Sequence, residues 1–178
     1  MEIILAENHG FCYGVKRAVE MANEAADSDS KSYTLGPIIH NPQVVGRLES
    51  KGVSPIQEVS DIDEGTMIIR SHGVGPAIYE EAEEKGLNIL DATCPHVKKA
   101  QQDAKSVIED GMTLVILGEK NHPEVKSINL WANNKGIIIE DEKSAEKLQI
   151  VEKMGVVVQT TFSQFKFNSI IEILEKKS

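Results

Sequence analysis

CYGVKRA (12–18) and CPHVKKA (94–100) contain the only two cysteines of the chain, and each follows the pattern C-x-x-V-K-[RK]-A. The two cysteines are separated by 94 − 12 = 82 residues. The same offset separates other short motifs, namely Leu35-Gly36 from Leu117-Gly118 and His40 from His122. Because these matches share one offset and one order, the sequence predicts an internal duplication of roughly 80 residues.

Apolar runs and helical periodicity alternate along both halves, which predicts parallel sheets covered by helices. The predicted strands are 2–6, 32–36, 66–70, 88–90, 113–117, 136–140 and 156–159. The predicted helices are 15–26, Pro42 to Lys51, Pro76 to Lys85, 96–110, one from Pro123, 144–149 and a final helix. The fold class is therefore α/β, with two similar units of mainly parallel sheet at 1–93 and 94–178.

Composition narrows the classes of function. The 178 residues are 40% hydrophobic, which is enough for a packed core, and the formal net charge of −9 argues against non-specific nucleic-acid binding. No apolar run approaches a membrane span, and the N-terminus lacks the basic region of a signal peptide. Two cysteines in such a chain indicate reduced thiols, so a cytoplasmic location is the default expectation.

Several polar side chains follow predicted strands, where open α/β sheets bind ligands. These candidates are Cys12, His40, His72, Cys94, His122 and Thr160, and Glu124 follows closely after His122. Each also has a structural interpretation, since a lone cysteine is usually a small buried hydrophobe and a first-turn carboxylate complements a helix dipole. The recurrence of two cysteines and two histidines at equivalent positions favours a shared functional centre.

The residue types restrict the chemistry of that centre. Thiolates are soft metal ligands, but two of them cannot fill a closed four-ligand site. Histidines and helix N-termini can donate to phosphate oxygens, and a carboxyl group such as Glu124 can move a proton. The sequence contains no P-loop and no G-x-G-x-x-G motif, so a dinucleotide site has no support.

Six ordered motifs along the whole chain resemble those of the 4-hydroxy-3-methylbut-2-enyl diphosphate reductases, the LytB family. They are GFCYGVKRAV, HNPQVV, SHGV, DATCPHVKKA, NHPEV and QTTFS. The resemblance implies a trefoil of three α/β units around an iron-sulfur cluster of the 4Fe-4S type with one open iron. It also implies reductive dehydroxylation of an allylic diphosphate to isopentenyl and dimethylallyl diphosphates in the non-mevalonate isoprenoid pathway, with electrons from a donor such as ferredoxin or flavodoxin.

The resemblance carries roles onto individual residues. Cys12 and Cys94 match two of the family's three cluster ligands, and His40, His72 and His122 match its diphosphate-binding histidines. Glu124 matches the acid that supplies protons, and Thr160 matches a threonine near the substrate hydroxyl.

The chain also departs from the family pattern. The third cysteine and the Ser-x-Asn phosphate motif are absent, as is the glycine expected shortly after HPEV. TMIIRSHGV (66–74) resembles GVVVQTTFS (155–163) at an offset of 155 − 66 = 89, so the second copy is longer than the first by about seven residues. A third repeat would place its cysteine near 94 + 82 = 176 or, with this longer spacing, near 94 + 89 = 183. The chain is therefore expected to be the first two thirds of a reductase, inactive alone, without an intact cluster, and prone to self-association.

Two classes of function remain open. One is the iron-sulfur oxidoreductase, and the other is a non-catalytic α/β binding or assembly module that keeps the repeats. A third cysteine in the parent gene would favour the enzyme.

Overall fold

The computed structural model describes residues 3–7, 9–28 and 30–177. The first unit contains α1 (Tyr13–Ala26), β1 (Ser32–Leu35), α2 (Pro42–Ser50), β2 (Val53–Ile56), a short 3-10 helix (Val59–Asp61), β3 (Thr66–Ile69), α3 (Pro76–Glu84) and β4 (Asn88–Asp91). The second contains α4 (Pro95–Glu109), β5 (Thr113–Leu117), α5 (Pro123–Trp131), β6 (Ile137–Ile139), α6 (Glu142–Glu146), β7 (Met154–Val158), α7 (Gln164–Leu174) and a 3-10 turn (Glu175–Lys177).

Both sheets are parallel, and the second repeats the order of the first three strands of the first sheet. The first has the order β2-β1-β3-β4, and the second has the order β6-β5-β7. The central strands β1 and β5 end at Leu35 and Leu117, which are 117 − 35 = 82 residues apart, as the repeated motifs predict. The prediction of an α/β fold with two similar parallel units is therefore confirmed.

Alternating side chains of each central strand pack on opposite faces of the sheet, as a buried parallel sheet requires. In the first unit, Ile68 packs with the α1 and α2 side chains, whereas Met67 and Ile69 pack with α3. In the second unit, Ile116 packs against α4 and α5, and Leu117 packs with α6 and α7. Each sheet is thus covered on both faces and presents its strand ends as the accessible edge.

Most predicted elements are present, but one prediction is wrong and two elements were missed. Residues 3–6 form no strand, and Ile3, Ile4 and Leu5 are 75–83% exposed, so Cys12 does not follow a strand within the described residues. The segment has no apolar partner there, and an apolar run without one gains nothing from strand formation. β2 and the 3-10 helix after it were missed because Pro55 interrupts the apolar pattern, which a strand at the edge of a sheet tolerates.

The two cysteine helices begin alike and lie close together. Cys12 is the N-cap of α1 and Cys94 is the N-cap of α4, and neither side chain caps its own helix. A Cβ atom added at Gly14 would lie 2.5 Å from the Cys94 Sγ, so the absence of a side chain there allows α1 to approach the start of α4. None of the described helices is long and apolar enough to cross a membrane.

We predict that Gly14→Ala destabilises the chain, while Gly46→Ala, in α2, stabilises it. Alanine favours a helix over glycine by about 1 kcal/mol, and at Gly46 the new methyl group meets no atom within 4 Å. At Gly14 the methyl group collides with Cys94, and such overpacking costs about 1–3 kcal/mol. Urea unfolding of both variants measures the difference, and equal effects would contradict the close approach of the two helices.

Candidate functional site

Three histidines from both units meet at the carboxyl ends of the sheets. His40 lies between β1 and α2, His72 lies between β3 and α3, and His122 is the N-cap of α5. The ring centroids of His40 and His72 are 4.5 Å apart, and His122 lies 5.9 Å from His40 and 5.5 Å from His72. The structure therefore brings together the three histidines that the sequence predicted to share a centre.

One member of the histidine cluster, His72, is neutral at pH 7. Burial, together with charge repulsion from the nearby His40, Arg70 and His122, lowers the pKa of His72 to about 4. A neutral imidazole carries one N–H donor and one acceptor nitrogen. His72 is therefore a neutral donor rather than a cation when no ligand is bound.

The hydrogen bond to His122 distinguishes an anion site from a metal site. One nitrogen from each of the three rings lies within 4.8 Å of the others, a spacing that a metal ion could use. However, the Nδ1 atom of His122 accepts a hydrogen bond from the Glu124 backbone N–H at 3.2 Å. An accepting Nδ1 carries no proton, so the proton of the neutral His122 ring is on Nε2. Nε2 is therefore a hydrogen-bond donor and not a metal ligand. The arrangement thus favours a ligand with acceptor oxygens.

Helix N-termini add less to this pocket than the prolines at their starts predict. In α2 the side chain of Asn41 already accepts from the N–H groups of Gln43 and Val44. In α5 the N–H of Glu124 is taken by His122. In α3 the N-cap Gly75 offers no side-chain cap, Pro76 has no N–H, and the Ile78 N–H donates to the Gly75 carbonyl at 3.2 Å.

Glu124 and Thr160 form a hydrogen-bonded pair beside the histidines. Glu124 is 2% exposed, and its two carboxylate oxygens accept from the Thr160 backbone N–H at 2.6 Å and from the Thr160 hydroxyl at 2.8 Å. Glu124 is thus a carboxylate of the first helical turn, as the structural interpretation has it, but it is buried and bonded to Thr160. Thr160 does not cap α7, because Ser163 is the N-cap of that helix.

The cysteines lie at the same end of the sheets. Cys12 is exposed and Cys94 is half-buried, and both are free thiols. The Cys94 backbone N–H donates to the carbonyl of Ser71, the residue before His72, at 2.9 Å. Arg17 of α1 donates to the carbonyl of Thr93 at 3.2 Å. Backbone contacts therefore connect the start of α4 to the His72 loop and to the helix that Cys12 caps.

Side chains that the sequence did not single out position the predicted ones. The Ser127 hydroxyl of α5 lies 2.8 Å from the carbonyl of His72, and it accepts from Gln101 Nε2 at 3.1 Å. The Gln159 Oε1 atom accepts from the Glu119 backbone N–H at 2.9 Å, which connects β7 to the loop before His122. Gln159 stands in the quoted QTTFS motif, so that motif was the available signal, whereas Ser127 and Gln101 carry none.

The fold and the site define a parallel α/β protein whose two units bring three histidines together, with a buried carboxyl group two residues after one of them. The chain belongs to the LytB protein family, whose model matches residues 3–178.

Individual relatives and solved structures agree with this assignment. The chain is 49% identical over 172 residues to the 4-hydroxy-3-methylbut-2-enyl diphosphate reductase of Geotalea uraniireducens, covering 97% of the chain and 61% of the relative. It is 49% identical over 178 residues to that of Pelobacter propionicus, covering 99% of the chain and 63% of the relative. A reductase structure from Plasmodium falciparum matches with a TM-score of 0.90 at 31% identity, covering 96% of this chain and 55% of that one. The chain thus spans about three fifths of the length of these relatives.

We predict that Ser127→Ala loosens the junction between the two units. It leaves the buried Gln101 amide and the His72 carbonyl without this partner, which costs about 1–3 kcal/mol. Ser106→Ala, at an exposed position of α4, is the matched control and should change stability by less than about 0.5 kcal/mol. Urea unfolding compares the two, and similar small effects would show that the Ser127 contacts carry no net stability.

We also predict a pH dependence from His72. Its pKa is lowered from the ordinary 6.5 to about 4, so the unfolded chain binds the proton more tightly than the folded chain does. This stabilising contribution is complete above pH 6.5 and is lost as the pH falls toward 4. The loss should be of order 2 kcal/mol and smaller in His72→Gln. Denaturant titrations between pH 4 and 7 measure the free energy of unfolding of both proteins. If this free energy changes with pH equally in the unsubstituted chain and in His72→Gln, the lowered pKa is contradicted.

Proposed function

We propose that the chain is the cluster- and substrate-binding part of an iron-sulfur reductase that dehydroxylates 4-hydroxy-3-methylbut-2-enyl diphosphate to isopentenyl and dimethylallyl diphosphates. The meeting of His40, His72 and His122 beside the Glu124–Thr160 pair carries this proposal. The relatives from Geotalea uraniireducens and Pelobacter propionicus, which are reductases of this diphosphate, support the reaction. The proposed units are residues 1–93 and 94–178, as two parts of a trefoil.

The three histidines are the proposed diphosphate-binding groups. A diphosphate offers several acceptor oxygens and multiple negative charges, and imidazole N–H groups meet such oxygens with short hydrogen bonds. The neutral state of His72 suits this role, because binding of the anion can raise its pKa and recover a charge-assisted bond. His122 is already held with its Nε2–H free to donate.

Glu124 is the proposed proton source, and Thr160 is the proposed path to the substrate. Glu124 is buried, whereas Thr160 is exposed, and the two are joined by the hydroxyl–carboxylate bond at 2.8 Å. A proton held on Glu124 would therefore reach a substrate hydroxyl through the Thr160 hydroxyl, which both accepts and donates.

Cys12 and Cys94 are the proposed cluster ligands. Both cysteines stand at the N-termini of adjacent helices, and the close approach of Gly14 to Cys94 brings these helix ends together. These residues fit two ligands of a 4Fe-4S cluster with one open iron. When bound, such a cluster would supply electrons and a Lewis-acidic iron for the substrate oxygen.

Further properties of the whole protein are proposals of the same kind. Free cysteines favour a cytoplasmic location, and an external donor such as ferredoxin or flavodoxin would supply electrons. The exposed Ile3, Ile4 and Leu5 form an apolar segment that favours self-association of the isolated chain.

A chimera tests the reductase against the non-catalytic binding module. The chain would be fused to the remaining part of the Geotalea uraniireducens reductase, reconstituted anaerobically with iron and sulfide, and assayed for reduction of the allylic diphosphate. Turnover that is lost in Glu124→Gln, with an unchanged cluster spectrum, supports the reductase and the acid role. A loaded chimera that binds the diphosphate without turnover supports the module instead, and normal turnover in Glu124→Gln removes the acid role.

We predict that the 178-residue chain alone does not hold an intact 4Fe-4S cluster. The cluster needs three cysteine ligands, and the chain contains two. Anaerobic reconstitution should therefore leave iron substoichiometric and the chain without reductase activity. Four irons per chain with turnover would mean that another group completes the site, and Cys94→Ser would then show whether Cys94 takes part.

A further inference from the structure

A cavity of about 370 Å³ lies between the two units, next to the histidine cluster but not lined by its rings. It opens where β1 and β3 end, and its wall includes Gly36, Arg70 and, from the second unit, Lys126. Ligands of parallel sheets bind beyond these carboxyl ends. We call this space the Arg70 cavity.

Arg70 is the unusual residue of the cavity. Its Nε atom is buried without a hydrogen-bond partner, and no carboxylate forms an ion pair with its guanidinium within the described residues. A buried N–H group without a partner is costly, so such groups normally have a hydrogen-bonded acceptor. Partial burial also lowers the pKa of the Arg70 guanidinium.

The backbone around Arg70 gives its guanidinium room. A Cβ atom added at Gly36 would lie 2.6 Å from the Arg70 Nη1 atom. Gly36 also has a φ of +70°, a left-handed conformation that favours glycine. The guanidinium therefore lies against bare backbone at the end of β1 and not against a side chain that could neutralise it.

The charge of the cavity is opposite to that of the chain. The chain carries a net charge of −9, yet the cavity is lined by Arg70 and Lys126 and by no carboxylate. The amide of Asn121 adds a polar group at the same wall. A cationic cavity in an acidic protein selects an anion, and the planar fork of an arginine matches phosphate oxygens.

The remaining wall is apolar. Leu35 and Ile78 of the first unit and Leu130 of the second line the cavity, and Leu130 is 42% exposed. A ligand with a short hydrocarbon part would cover this surface.

From these observations we propose that the Arg70 cavity binds a phosphate or diphosphate ester with a short apolar tail, at a site distinct from the histidine cluster. The anionic group contacts Arg70 and Lys126, and the tail lies against Leu35, Ile78 and Leu130. The assignment rests on the lining of the cavity and does not require the proposed reduction.

Titration of the 178-residue chain with inorganic diphosphate and with isopentenyl diphosphate tests the site. Calorimetry gives the affinity, and backbone amide shifts of Gly36, Gly75 and Leu130 locate binding at the cavity. Isopentenyl diphosphate should bind about tenfold more tightly than inorganic diphosphate, because its tail buries apolar surface. Equal affinities would overturn the assignment of the apolar wall.

Arg70→Met should weaken binding at the cavity by about 10–100-fold, since it removes a charge-assisted contact and keeps an apolar stem. Arg47→Met, at an exposed position of α2, is the matched control for the loss of one charge and should bind normally. Without ligand, Arg70→Met should melt at the same or a higher temperature, because an unpaired charge has been removed. Unchanged binding in Arg70→Met, or a large loss of stability, would overturn the proposal.

The histidine site is followed separately in the same titration. Shifts at Asn41 and Thr160 report that site, and His122→Gln should reduce them while leaving the shifts at Gly36 and Leu130. If only Asn41 and Thr160 shift, the Arg70 site is contradicted and the histidine site is not. If only Gly36 and Leu130 shift, diphosphate binding by the histidines is contradicted and the Arg70 site is not.

Discussion

The junction between the two sheets depends on one buried hydroxyl group, that of Ser127. It stands on α5, accepts from Gln101 of α4, and lies 2.8 Å from the carbonyl of His72 in the first unit. Trp131, one turn further along α5, donates to the carbonyl of Val74 at 2.9 Å. The loop after β3 is thereby held against α5, the helix that begins at His122. No hydrogen bond joins His72 to His122 within the described residues. The contacts of Ser127 and Trp131 therefore set the distance between the two rings.

The repeat gives each unit the same edge, and the junction turns the two edges toward each other. In both units a cysteine begins the helix that precedes the central strand, and a histidine follows that strand. Parallel sheets buried on both faces leave only their strand ends for ligands. The three histidines, which are distant in sequence, therefore meet at this edge. The four-stranded first sheet also shows that β4 pairs with one unit while leading into the cysteine helix of the other.

The chemistry of the pocket depends on neutral donors rather than on fixed charge. Three charged imidazoles within 6 Å of one another would repel, and burial adds to the cost, so His72 stays neutral. Under the proposed function, this cost is recovered on diphosphate binding, because a multiply charged anion favours the protonated state. Arg70 and Lys126 stand in the neighbouring cavity, which no carboxylate of the described residues lines. If both proposals hold, the two neighbouring regions recognise anions in different ways.

Much of this protein could be predicted from its sequence, because the determining features are local. Proline at helix starts, apolar strand runs and the offset of 82 residues are readable without coordinates, and they correctly predicted the parallel α/β units and the grouping of His40, His72 and His122. The prediction failed at residues 3–6, where an apolar run lacks a partner within the described chain, and at β2, where proline weakens the pattern.

Only the tertiary structure decided how the site is held together. The hydrogen bond between Thr160 and the buried Glu124 joins residues 36 positions apart. The Arg70 Nε atom has no partner among the described residues, and no pattern of residues records a missing contact. The tautomer of His122 depends on a single backbone N–H placed by the first turn of α5. Sequence periodicity specifies which face of an element is buried, whereas hydrogen-bond partners across units depend on how those faces pack.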